Sequence, residues 1–173
     1  MLTDKTHSYG TLSKLFHWLT AILVAWQFAK FLDRVGGGEH WIADNIVSHH
    51  ISIGSIFLLL VIVRTIWALA QRGKRPVNPQ ASNKLVAFGH AFLYVLMILM
   101  PLLGVAVMVG NGYGLGVYGW QIIERGGEIP FLIQLGSFHS PVAWLFLIVV
   151  LGHIAMAVKH HVTNDKKVMR SML

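Results

Sequence analysis

Residues 139–161 read HSPVAWLFLIVVLGHIAMAVKHH. A run of this length and apolarity crosses a hydrocarbon core of about 30 Å with some tilt. Two imidazoles interrupt it, His139 at its start and His153 in its second half. Their 14-residue spacing turns the helix through about 1400°, roughly 40° short of four full turns, and lifts it by about 21 Å. Both rings therefore leave one face, one near each membrane surface. Polar rings inside a membrane helix are costly and mark function by default. Two on one stripe at that separation suit two stacked cofactors, one toward each surface.

Composition agrees with a membrane setting. The chain has 173 residues, 55% hydrophobic and 12% charged, with a mean hydropathy of +0.61. A soluble domain carries about 25% charged residues. Cysteine is absent, which excludes disulfides, thiolate metal sites, cysteine-ligated iron–sulfur clusters and thioether-linked haem. Ten histidines stand against seven acids, and most lie in or beside apolar runs.

The net charge is +7, and its placement matters more than its size. The cations flank apolar runs and form no continuous soluble patch, so nucleic acid is not the partner. They concentrate in three places: Lys5 and Lys14 before the first run; Arg72, Lys74, Arg75 and Lys84 between the second and third; and Lys159, Lys166, Lys167 and Arg170 after the last. The positive-inside rule then puts both termini and the 71–84 loop in the cytoplasm.

Four apolar runs predict transmembrane helices near 15–33, 49–70, 85–109 and 139–161. The expected fold is all-α, a four-helix bundle integral to the membrane, with residues 1–173 forming one domain. The first run is too long for a signal-peptide core and no small-x-small site follows it, so it reads as a retained helix with His17 in its first turn. The second opens with His49 and His50. Gly54 lies one turn below His50, where a missing side chain lets a flat macrocycle approach. Arg64 follows His50 by 14 residues, repeating the spacing of His139 and His153. It either snorkels to the inner surface or partners a haem propionate. The third run carries His90 near its inner end and Pro101 within. The outer connection 110–138 is rich in glycine and aromatics, holds no phosphate-loop pattern, and reads as a loop at the interface.

Sorted by depth, the histidines form two pairs. His50 and His139 begin helices at the outer surface. His17 begins one at the inner surface, and His153 lies deep in a helix approaching it. Facing imidazoles across a bundle interior are the axial ligation of a b-type haem. Each ring must keep its metal-binding nitrogen bare while the other nitrogen donates to an acceptor, for which Ser52 and Ser137 are candidates. Zinc is disfavoured, since neither depth offers a third or fourth ligand. His160 follows His153 by seven residues and shares its face. With His90 it lines an inner quinone pocket; otherwise it joins His161 and Lys159 in a basic interfacial cluster that meets anionic lipid.

These residues resemble the bacterial four-helix cytochrome b561 family. The resemblance rests on LFHWLTAILVAW with His17, HHISIGSIFLLLVIVR with His50 and Arg64, FGHAFLYVLMILMPLLG with His90 and Pro101, and FHSPVAWLFLIVVLGHIAMAVKHH with His139 and His153. It covers almost the whole chain. It implies two haems b, their irons held by His17, His50, His139 and His153, and electron exchange with ubiquinone in the bacterial cytoplasmic membrane. The best-understood members look like superoxide oxidases, which implies a superoxide:ubiquinone oxidoreductase. The alternative is a membrane anchor that relays electrons for a partner dehydrogenase or reductase. One departure bears on the choice. The two outer loops carry Asp33, Glu39, Asp44, Glu124 and Glu128 against Arg34 and Arg125, whereas guiding an anion favours a positive face.

Overall fold

The computed structural model describes residues 2–6, 8–31, 45–74 and 84–163, except for the side chains of Leu85 and His160. Much of the first outer loop, the basic loop and the C-terminal tail lies outside the described residues. So does the side chain of His160.

Four long helices form the body: α1 (Thr11–Phe28), α2 (His50–Ala70), α3 (Lys84–Gly110) and, after a folded outer connection, a helix over His139–Val162. The connection holds strands β1 (Leu115–Val117) and β2 (Trp120–Ile123) and a short helix α4 (Pro130–Gly136), so the last long helix is α5. Packing runs α1 to α2, α2 to α3 and α3 to α5. Ring contacts of Phe28 with Phe146 at 5.5 Å and Phe31 with Trp144 at 4.2 Å bring α1 back to α5 and close the bundle. The chain is an integral membrane protein, all-α in class.

The helix limits follow local chemistry. α1 starts at Thr11 rather than near 15. The Gly10 amide donates to Asp4 Oδ1 at 2.8 Å and the Leu12 amide to the Leu2 carbonyl at 3.3 Å, so the N-terminal residues fold against the helix start. A Cβ on Gly10 would overlap the Leu2 carbonyl. Asp4, only 3% exposed, brings a carboxylate to the positive end of the helix. α2 and α5 begin at their histidines, α2 behind a single 3-10 turn, Val47–His49.

The surface is inverted relative to a soluble protein. Leu59, Ile66, Leu69 and Ile148 are all more than 60% exposed, as lipid-facing side chains are. The buried core is narrow: Val24, Phe57, Val61, Leu96, Met97 and Phe146. It fills the middle of the bundle between the two histidine levels. Three helical stretches, Val47–Ala70, Val86–Gly110 and Pro130–Lys159, are long and apolar enough to span a membrane. α1 has 18 residues and includes Lys14, His17 and Gln27, which shorten its apolar part.

The outer connection differs from the expected loop. Strands β1 and β2 pair antiparallel around Tyr118 and Gly119, whose φ values of 46° and 87° suit the two-residue turn that matches strand twist. The Tyr118 amide donates to Ser52 Oγ at 3.1 Å, tying the hairpin to α2. α4 lies on the end of α3 so closely that a Cβ on Gly110 would sit 2.7 Å from the Ile133 amide nitrogen, and one on Gly136 would sit 2.9 Å from that of Val107. Sequence periodicity did not reveal this cap because its elements have three, four and seven residues.

Candidate functional site

The outer end of the bundle encloses a cavity of about 440 Å³, within the usual range for cofactor sites. His50 from α2 and His139 from α5 both line it, with Gly54, Gly104, Pro101 and Phe146. Their ring centres are 6.1 Å apart and the ring planes cross at 87°. Two imidazoles sharing one metal, with about 2 Å of metal–nitrogen bond on each side, place their ring centres roughly 6 Å apart. The spacing therefore fits a pair of axial ligands.

His139 is oriented for that task. Its Nδ1 lies 3.1 Å from the Met100 carbonyl oxygen. A carbonyl only accepts, so Nδ1 carries the proton and Nε2 keeps its lone pair. Ser52 and Ser137 do not take this part: Ser52 Oγ accepts from Tyr118, and Ser137 Oγ donates to the Gln134 carbonyl at 2.7 Å. Gly104 gives the ring its room, since a Cβ there would come 3.2 Å from His139 Cε1.

His50 is held through its backbone. Gln27 Nε2 donates to the His50 carbonyl at 3.2 Å, and the buried Gln27 Oε1 has no hydrogen-bond partner. Gln27 lines the same cavity, as does Lys30, which lies within electrostatic reach of His50. Sequence reading passed over Gln27, although a lone amide in an apolar run is a functional signal. His49 is turned elsewhere, its ring 5.7 Å from that of Tyr118.

The donor set fits an iron porphyrin. The imidazoles are correctly spaced, one is already oriented by its second nitrogen, and glycines line the walls. His50 and His139 would hold the iron there.

The inner end gathers His17, Arg64, His90 and His153. His17 lies within electrostatic reach of Arg64, His153 and His90. Arg64 Nη2 stands 3.5 Å from His17 Nδ1, and its guanidinium lies 5.4 Å from the centre of the Tyr94 ring. Arg64 is thus inside the bundle with a histidine and an aromatic face, rather than extended to the surface. The ring facing His153 is that of His90, with centres 5.4 Å apart and planes at 83°. His90 Nδ1 lies 2.8 Å from the Val86 carbonyl oxygen. Of the quinone-pocket pair, then, His90 meets His153, while the His160 side chain lies outside the described residues. His161 and Lys159 are exposed.

Residues 8–173 match the family described as prokaryotic cytochrome b561. The chain is 27% identical over 182 residues to cytochrome b561 homolog 2 of Escherichia coli K12, covering 99% of this chain and 94% of that protein. It is 27% identical over 175 residues to the probable superoxide oxidase CybB of Yersinia pestis, covering 95% of each. Cytochrome b561 homolog 1 of E. coli K12 is 24% identical over 166 residues, covering 90% of this chain and 92% of that protein. With four long helices, three of them apolar enough to span a membrane, and histidines gathered at both ends of the bundle, the chain belongs to the prokaryotic cytochrome b561 family, membrane proteins that carry electrons through b-type haem.

Proposed function

We propose that this chain holds two haems b and passes electrons from superoxide at the outer membrane surface to ubiquinone at the inner one, as a superoxide:ubiquinone oxidoreductase. The observation that carries this reading is the His50–His139 ring pair, 6.1 Å apart at the wall of a cofactor-sized cavity. His50 and His139 are the outer axial ligands. His17 and His153 are the inner ones, with Arg64 as the partner of an inner propionate. His90 and His160 line the quinone pocket near the inner surface. The membrane is the bacterial inner membrane, with both termini cytoplasmic, as the loop charges require.

Haem, when bound, supplies reversible one-electron chemistry. The chain supplies the rest. The Met100 carbonyl fixes the His139 tautomer. Phe57, Val61, Leu96 and Phe146, each under 5% exposed, keep water out of the space between the two levels. Those levels lie about 20 Å apart by helix rise. Lys30 places a positive charge at the outer site, where an anionic donor arrives against acidic loops. In balance, two superoxide anions each lose one electron and leave as O2. One ubiquinone takes both electrons and two protons and becomes ubiquinol. The similarity to a probable superoxide oxidase supports superoxide as donor.

Purified protein given superoxide and a short-chain ubiquinone should form quinol at a rate that rises with protein concentration. Rates no higher than the protein-free control would overturn the proposed donor.

A second reading is an anchor and electron-transfer subunit for a separate redox enzyme. The outer cap favours it: Trp120 is 77% exposed and Phe131 70%, beside the acids Glu124 and Glu128. A redox protein that co-purifies, together with no activity toward superoxide, would select it.

A further inference from the structure

His50 and His139 each open a helix, and that position sets a problem for a metal-binding imidazole. Such a ring keeps one nitrogen bare and needs an acceptor for the proton on the other. Within a helix the carbonyl four residues back can serve, as Val86 does for His90 Nδ1 at 2.8 Å. His139 takes its acceptor from another helix, the Met100 carbonyl at 3.1 Å.

For His50 the carbonyl four residues back is that of Ile46. It already accepts from the His49 amide at 3.3 Å and from the Trp26 indole at 3.2 Å. Two donors fill the two lone pairs of a carbonyl, so Ile46 has no place for a ring proton. The acceptor for His50 must come from elsewhere.

Gln27 of α1 stands against the same residue. Its Nε2 donates to the His50 carbonyl at 3.2 Å. A carbonyl only accepts, so the amide cannot be turned the other way. Oε1 is left fully buried with no hydrogen-bond partner, a costly state for a polar atom. The oxygen and nitrogen of one amide lie about 2.2 Å apart by standard bond lengths, which brings Oε1 within a side-chain rotation of the His50 ring.

The setting repeats that of His139. The Met100 carbonyl holds His139, and Gly104, four residues on, gives the ring room. The His50 carbonyl holds Gln27, and Gly54, four residues on, gives the amide room. A Cβ at Gly54 would come 3.2 Å from Gln27 Nε2, as one at Gly104 would come 3.2 Å from His139 Cε1. In both places one helix turn pairs a carbonyl with a glycine and seats a side chain from the neighbouring helix.

Resting on the two-haem reading, we infer that Gln27 is a positioning residue for the outer ligand: its Oε1 takes the proton of the His50 ring and leaves the opposite nitrogen bare for iron. One amide then bridges the main chain and the ring of His50. The bond makes the imidazole a stronger donor to the metal. A stronger donor favours ferric iron, so Gln27 holds the outer midpoint down.

The test is potentiometric titration of the full-length, haem-loaded protein, wild type against Gln27→Leu and Gln27→Glu. The outer centre is the one missing from His139→Ala. Gln27→Leu removes the acceptor at unchanged charge and should shift the outer midpoint up. Gln27→Glu supplies a stronger, charged acceptor and should shift it down. A pocket that is merely loosened admits water, which favours the more charged ferric state, so a purely structural role predicts a downward shift in Gln27→Leu. An unchanged or lowered midpoint in Gln27→Leu would overturn the inference, as would an unchanged or raised one in Gln27→Glu. If Gln27→Leu loses the outer haem, Gln27→Met, which keeps the side-chain length, is titrated under the same criteria. Loss in both would assign Gln27 to the cavity wall and overturn its role at the ring nitrogen. Wild type that binds no haem through His50 and His139 would instead overturn the two-haem reading, and this inference with it.

Discussion

The ring of His139 stands directly against the backbone of Gly104: a Cβ at that glycine would lie 3.2 Å from Cε1 and 3.5 Å from Nδ1 of the imidazole. Gly104 lies one turn beyond Met100, whose carbonyl holds the same ring, so a single turn of α3 both anchors His139 and makes room for it. An alanine at 104 forces the ring to move by a few tenths of an ångström. A leucine displaces it. Gly104→Ala should keep both haems with weakened outer binding, and Gly104→Leu should lose the outer haem while the inner remains. The haem-to-chain ratio and the reduced α-band of the two purified variants check this.

His50 and His139 act on one metal in the proposed arrangement, so their contributions cannot add. A single histidine cannot supply the axial pair of a low-spin haem. His50→Ala and His139→Ala should each lose one haem per chain. The double variant should lose no more, an extreme of the coupling expected between residues with a shared partner. Haem quantification across the three proteins measures it. Loss of both haems in either single variant would mean that the two levels depend on each other.

Some of this was legible in the residues and some was not. Fourteen-residue spacing and helical periodicity place His139 and His153 on one stripe, and the four apolar runs give the four long helices to within a few residues. His50 lines the cavity together with Gly54, while the His49 ring stands beside that of Tyr118. The orientation of His139 was not legible. Its partner is a main-chain carbonyl 39 positions away, and a carbonyl leaves no mark on residue type. Nor was the facing of His90 and His153, because depth along separate helices says nothing of how those helices rotate about their axes. The cap over 110–138 escaped because its two strands and short helix owe their form to contacts with α2 and α3 rather than to any repeating pattern.

α1 and α2 are clasped at the end opposite the cavity. Trp67 Nε1 donates to Ser13 Oγ at 2.9 Å, and the Trp67 ring lies 6.4 Å from that of Phe16. Ser13→Ala leaves the indole N–H without this acceptor. Interhelical hydrogen bonds in membrane proteins average about 0.6 kcal/mol, and a stranded donor adds to the loss. Ser13→Ala should therefore destabilise the bundle by about 1 kcal/mol without changing haem content. Denaturant-detergent titration, followed by loss of the haem band, reads the shift. Ser13→Thr, which keeps the hydroxyl, should recover most of it.

Arg64 brings a fixed positive charge to the inner cluster, between His17 and the Tyr94 ring. The sign of its effect follows from charge alone. Losing an electron makes a metal site more positive, so a nearby cation opposes oxidation and raises the reduction potential. Arg64→Leu removes that cation and should lower the inner midpoint by roughly 100 mV, on the scale of two charges several ångströms apart at an effective dielectric near 20. Arg64→Lys keeps the charge but not the planar fork, so its midpoint should fall between those of wild type and Arg64→Leu. The outer midpoint, about 20 Å away by helix rise, should move little in either variant. Potentiometric titration of the α-band resolves the two centres. A larger shift at the outer centre than at the inner one would place Arg64 with the wrong haem.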